Sequence, residues 1–174
     1  MRDFYEYAPR VTTMSNVLYR DFNAAEDEAA MRACIMELQD YERMIYTRLP
    51  PGKAVVDDCI RHMLEQCRQY DGRIIVAEVD GAVAGFITVL SRVVSERPDD
   101  GKLEYGLISD LVVLDGHRDQ GIGRALIGQA ESHAKASGVE WLRIGVIVGN
   151  SAAEHLYASL GFSPWHVEHE KHLA

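Results

Sequence analysis

Two glycines, Gly121 and Gly123, stand where an apolar run beginning at Leu111 gives way to an amphipathic pattern, and Arg118 precedes them by three positions. A strand that enters a helix through such a turn leaves several backbone N–H groups unpaired at the positive end of the helix dipole. That is an anion site. Glycine takes backbone angles that other residues resist, and with no side chain it lets a bulky phosphate reach the amides. Arg118 adds a donor and a charge at the same rim. A tight turn that binds nothing is the alternative reading of the same residues. Two common phosphate ligands are disfavoured by spacing: Leu126 occupies the place of the last small residue in the dinucleotide fingerprint, and no Gly-Lys-Ser/Thr sequence occurs.

Other clusters carry weaker chemistry. In the tail "HVEHEKH", His166, His169 and His172 recur at spacings of three. They would share a face in a helix but alternate sides in the strand expected there, so a solvated or substrate-facing strand end is favoured over a metal site. Asp40, Tyr41, Glu42 and Tyr46 crowd the end of the first expected helix, where charge alone reads as a wet face. Cys34, Cys59 and Cys67 are odd in number and fall within expected helices; they read as small core residues rather than a disulfide set or metal pair, which fits a reducing compartment.

The elements that must position these residues follow from period and punctuation. A chain of 174 residues, 47% hydrophobic and 26% charged, is expected to form one domain with a substantial core. A formal net charge of -9 without Lys/Arg clusters argues against a nucleic-acid surface, and could favour a cationic small substrate. No stretch has the length and apolarity of a signal peptide or membrane span, so a cytoplasmic protein without membrane contact is expected. Residues 1–16 show no clear period and read as an arm, disordered or packed on a partner, with a homodimer compatible; residues 17–174 read as a single domain.

"VLYRDF" alternates like a strand, and Asn23 with Glu26 forms a capping-box-like helix start. Met31, Cys34, Ile35, Leu38, Tyr41 and Ile45 give the first helix an apolar face; Val56, Cys59, Ile60, Met63, Cys67 and Tyr70 do the same for a second after "RLPPG". "RIIVAEV" and "AVAGFITVL" are joined by Asp80-Gly81, a strong hairpin signal, and "SERPDDGK" reads as an exposed loop. "YGLISDLVVL" is a mostly apolar strand expected to be buried on both faces. A helix follows from Gly121 to Ser137 and stops at Gly138; then come a strand "WLRIGVIV", a helix capped by Asn150 and ended by Gly161, and "FSPWHVEHEKHL", expected to return to the sheet. The class is mixed α/β.

With Arg118, Gly121 and Gly123 in this order, the chain resembles the GNAT superfamily of acetyl-CoA-dependent N-acetyltransferases, whose signature is Arg/Gln-x-x-Gly-x-Gly/Ala at the start of the helix after the fourth strand. "NSAAEHLYASLGF" extends the resemblance, with Asn150 opening a helix, Tyr157 seven residues on, and Gly161-Phe162 closing it. The resemblance spans roughly residues 105–162 and implies a mostly antiparallel sheet flanked by helices, whose splayed central strands form an acyl-CoA cleft. It also implies that the amides of Asp119, Gln120, Gly121, Ile122, Gly123 and Arg124 hold the pyrophosphate of acetyl-CoA, with Arg118 and Asn150 also at the cofactor site, while the edge at Leu111, Val112 and Val113 pairs with the pantetheine arm. A fixed N–H donor there would stabilise the oxyanion formed in acyl transfer more than the ground state.

The reaction so implied is direct transfer to a primary amine, of a small molecule or a peptide, and the resemblance places Asp40, Tyr41, Glu42 and Tyr46 where the family's acceptor pocket is often formed. An alkylammonium, with a pKa near about 10, must first lose a proton. By the resemblance Tyr157 is the general acid for the departing thiolate; a tyrosine packed on the cleft wall is the alternative. The base departs from a common version of the family pattern: the Glu that some members carry nine residues before the signature Arg is Ser109 here. Asp110 would serve if a bulge re-aims it, and Glu104 through water. No metal is implied. The rival to an enzyme is a catalytically silent acyl-CoA sensor on the same fold.

Overall fold

The structure is a computed structural model that describes residues 16–173, so the expected arm lies outside the described residues apart from Asn16. One five-stranded sheet runs in chain order: β1 (Val17–Asp21), β2 (Arg73–Val79), β3 (Ala82–Val94), β4 (Glu104–Val113) and β5 (Leu142–Ile144). The first three pairings are antiparallel and β4–β5 is parallel. At the β2–β3 hairpin, Asp80 and Gly81 have φ of 51° and 82°, the left-handed pair a type I′ turn requires.

Helices α1 (Ala24–Ile45) and α2 (Gly52–Gln69) cover one face; Met31, Cys34, Ile35, Val56, Ile60 and Met63 close over Ile74, Val76, Phe86 and Val112. On the other face lie α3 (Ile122–Ala136) and the half-buried apolar side of α4 (Ser151–Ser159). There Ile122, Leu126, Ile127 and Ala130 bury Ile75, Ile87, Val89 and Ile108. Leu126 is fully buried, which explains why this helix does not carry the small residue of a dinucleotide site: it fills the core instead.

The start of α1 differs from expectation in one partner. Asn23 accepts from the Ala25 amide, but Asp27 rather than Glu26 returns the bond to the Asn23 N–H, at 2.8 Å. The Arg20 guanidinium grips Asp27 with two bonds, of 2.7 and 2.8 Å, and holds its carboxyl below the usual range.

Two expected strands are shorter or missing. In β4, Thr88 pairs with Asp110 and Val89 with Ile108, so Ser109 is an extra, bulged residue. A bulge bends and twists its strand. β4 therefore leaves β5 beyond Ile108–Ile144, and only Leu142–Ile144 of the expected eight-residue strand is paired. For the same reason β4 is not buried on both faces throughout; only Gly106, Ile108 and Val112 are buried. The last stretch, 162–173, forms no strand. β5 offers too short an edge, and the mostly polar tail is held by side chains: Arg48 to Glu170 at 2.8 Å, and Arg143 stacked between Tyr105 and Trp165 at 3.8 and 4.7 Å. The three histidines thus do not share a strand, and His166 instead meets Arg97 at 3.4 Å.

Candidate active site

The splay of β4 from β5 opens a cleft at the corner where β4 turns into α3. Gly121 caps α3 with φ 81°, and Asp119, just before it, also takes a left-handed φ of 60°. Such alternation curls successive amides toward one concavity. The first α-helical bond runs from the Ala125 N–H to the Gly121 carbonyl at 3.0 Å; among the described residues, the amides of Asp119 through Arg124 have no backbone acceptor. A Cβ at Gly121 would meet nothing within 4 Å, so its cradle faces open space and glycine is required there for backbone angle and approach rather than for packing. Gly123 differs. A Cβ there would lie 3.3 Å from Leu156 of α4, so it sets the contact between the two helices.

Arg118 is placed behind this corner. Its Nε donates to the Val113 carbonyl at 3.0 Å, one terminal nitrogen to Glu37 at 3.0 Å and the other to Asp115 at 3.3 Å, while its guanidinium lies 5.2 Å from the Tyr41 ring centre. Glu37 also accepts from the Asp115 amide at 2.8 Å, tying α1 to the corner. Arg118 thus braces the turn from the inside. Gln120 reaches back to the Gly116 carbonyl, and Arg124 donates to Ser159 of α4 at 2.7 Å. Leu111 and Val113 lean toward α3, Val112 toward α1 and α2.

On the other wall Asn150, 8% exposed, accepts from the Ala153 amide and fixes the start of α4. Two turns later Tyr157 packs half-buried against Phe162, ring centres 6.1 Å apart. Burial first, and then the charge of Glu42, pushes its phenol up to about 12. It therefore keeps its proton at neutral pH and can donate it.

The bulge settles the orientation of Asp110. Below Ser109, Ile108 faces α3; above it, Asp110 falls on the side of Val112, facing α1 and α2, while Ser109 is exposed and donates to Asp110 at 2.7 Å. Burial pushes the Asp110 carboxyl above the usual range, against the opposing effects of hydrogen bonds from Ser109 and Thr88 and the charge of His62. Glu104 is not brought to this group. It lies exposed at the far end of β4, beyond the segment paired with β5, and meets Arg92 at 3.2 Å.

Of two carboxylates in α1 at this site, spacing could have revealed one. Glu37 follows no such signal, but Glu42 lies four residues after Leu38 and three before Ile45, on the sheet-facing stripe, where a leucine would be ordinary. It is half-buried. Asp40, by contrast, caps α2 by accepting from the Gly52 amide at 2.7 Å, and Tyr46 meets Glu170 of the tail. The three cysteines are free, with Cys34 buried. Among the described residues no three His, Cys, Asp or Glu side chains gather as metal ligands, and no helix is long and apolar enough to cross a membrane.

A mixed sheet splayed beside a glycine corner, with a tyrosine on the opposite helix, is thus the geometry of the site, and residues 24–162 match the Acetyltransferase (GNAT) family. The chain belongs to that family. It is 28% identical over 160 residues to the mycothiol acetyltransferase of Nocardiopsis dassonvillei, covering 92% of this chain and 46% of that protein. With the streptothricin acetyltransferase of Streptomyces lavendulae it shares 35% identity over 94 residues, 53% of this chain and 46% of that one. The chain thus spans about half the length of these curated relatives. Its fold matches the crystal structure of glucosamine-6-phosphate N-acetyltransferase from Arabidopsis thaliana with a TM-score of 0.62 at 19% identity, covering 91% of this chain and 99% of that one.

Proposed function

We propose that the protein transfers an acetyl group from acetyl-CoA to a primary amine, both bound at once in the β4–β5 cleft. The observation that carries this reading is the run of acceptor-free amides from Asp119 to Arg124 opening onto empty space at Gly121. That cradle suits a pyrophosphate. In this assignment Arg118 holds the cradle's shape, Asn150 the angle of α4, and the unpaired edge at Leu111–Val113 receives an extended amide-bearing arm.

Acetyl-CoA supplies the activated thioester; the chain supplies orientation and protons. As the amine nitrogen bonds to the acetyl carbon, the carbon–sulfur bond breaks and the thiolate leaves. Tyr157, protonated at neutral pH, gives its proton to that sulfur. Asp110, turned toward α1 and α2 by the bulge and with its carboxyl raised above the usual range by burial, takes the proton the amine must shed, directly or through one water. Glu104, outside the cleft and ion-paired, has no part in this scheme. The family and the acetyltransferase names of the relatives support acetyl transfer in general, and the amine class rests on the site chemistry.

Calorimetry with acetyl-CoA, together with thiol release across a panel of amines, peptides and aminoglycoside-like antibiotics, tests the proposal. Binding with amine-dependent thiol release is expected. Binding without turnover on any acceptor would favour an acyl-CoA sensor, and absence of binding would remove the cleft assignment.

A further inference from the structure

Thr88 of β3 is fully buried and lies directly opposite Asp110 of β4, beside the bulge at Ser109. Opposed residues of an antiparallel pair share a face, so Thr88, two residues after Phe86 and across from Asp110, points toward the layer of α1 and α2. There its hydroxyl donates to the Met63 Sδ of α2 at 3.1 Å, and Met63 is itself buried. A thioether is a weak acceptor and a carboxylate a strong one. The single hydroxyl proton of Thr88 thus has two destinations, a sulfur on α2 and the carboxyl across the strand pair. Ser109 occupies only one of the carboxyl oxygens of Asp110, Oδ2.

Resting on the assignment of Asp110 as base in the proposed acetyl transfer, we infer that Thr88 is a positioning residue whose hydroxyl proton follows the charge of that base. While Asp110 is ionised, Thr88 donates to the carboxylate. Once Asp110 has taken the proton of the amine, its new O–H donates to the Thr88 oxygen and the Thr88 proton turns to Met63. Only an O–H bond rotates, and at neither stage is a buried hydroxyl left without an acceptor. Burial pushes the Asp110 carboxyl up, and the hydrogen bonds from Ser109 and Thr88 oppose that rise. The other titratable groups facing it are His62, Cys59 and Cys67 of α2 and Glu42 of α1. Burial pushes both thiols up, so they stay protonated while Asp110 titrates, and Glu42, also pushed up, is followed through its own signal.

A carbon NMR titration of the Asp110 carboxyl in the free protein tests the inference without acetyl-CoA or turnover. Thr88→Val removes the donor to the carboxylate and should move the midpoint up by about one pH unit, while Thr88→Ser, which keeps the hydroxyl, stays near wild type. Met63→Leu, close in volume, removes the second acceptor; it penalises the protonated form and should move the midpoint down by about half a pH unit. In the Thr88→Val background, Met63→Leu should have no further effect. Lost packing alone does not produce this opposed pair. A Met63→Leu midpoint at or above that of wild type, or an unchanged midpoint in folded Thr88→Val, would each overturn the inference; if Thr88→Val does not fold, Met63→Leu decides. The acidic limb of the turnover profile should move with the midpoint. A limb that stays while the midpoint moves would leave the hydroxyl pairing standing and strike Asp110 as the base of the proposed function.

Discussion

The two halves of β4 share one backbone and face opposite fates. At Leu107 and Ile108 the strand is paired on both edges, with β3 and with β5. Beyond the bulge at Ser109 only β3 remains as a neighbour, and the chain runs on into the amides of Asp119–Arg124 that no backbone group accepts. The first half spends its polar groups on the fold, and the second leaves them free for the ligand proposed above. One inserted residue makes the difference, because it bends β4 from β5 and turns Asp110 toward α1 and α2 in the same step.

The contrast can be broken most severely at the corner. Gly121→Val forces a branched side chain into a left-handed angle, at about 1–2 kcal/mol, and fills the open space in front of the amides. Acetyl-CoA affinity measured by calorimetry should fall by about 100-fold in protein whose circular dichroism remains native. Tyr157→Phe should lower kcat by a comparable factor, about 100-fold, and leave the KM for acetyl-CoA within about twofold, because the phenol acts on the leaving sulfur rather than in binding.

A smaller effect sharpens the role of the bulge. Asp110→Asn should cut turnover by about tenfold, since water can replace the base in part, and should remove the acidic limb of the pH profile. It should also stabilise the protein. The folded carboxyl titrates above its unfolded value, so the wild type is penalised progressively as pH rises from the unfolded value through the folded one. Thermal denaturation should show the Asn variant ahead of wild type at neutral pH, with the gap closing as pH falls to about 4. Glu104→Gln, at the far end of β4 from the corner, should change turnover and stability by no more than about 0.5 kcal/mol equivalent.

Much of this arrangement was legible in the residues, and the exceptions share a cause. Gly121, Asn150 and the Asp80-Gly81 turn announce themselves because their geometry is local: a left-handed angle, a cap, a two-residue hairpin. The position of Ser109 as the bulged residue depends on how β3 and β4 align, which no local signal carries, and with it went the direction of Asp110 and the early end of β5. Arg118 reads as a phosphate donor from its place in the motif, yet Glu37, 81 residues away in sequence, claims it. The C-terminal strand failed for want of an edge to join.

Backbone amide hydrogen exchange, followed residue by residue with and without acetyl-CoA, tests most directly whether the unpaired half of β4 and its corner form the cofactor site. Protection should rise at amides within Leu111–Val113 and Asp119–Arg124, while those of Leu107 and Ile108, already paired on both sides, stay unchanged. Binding that left 111–113 and 119–124 exchanging as before, or that protected another part of the protein instead, would contradict the assignment.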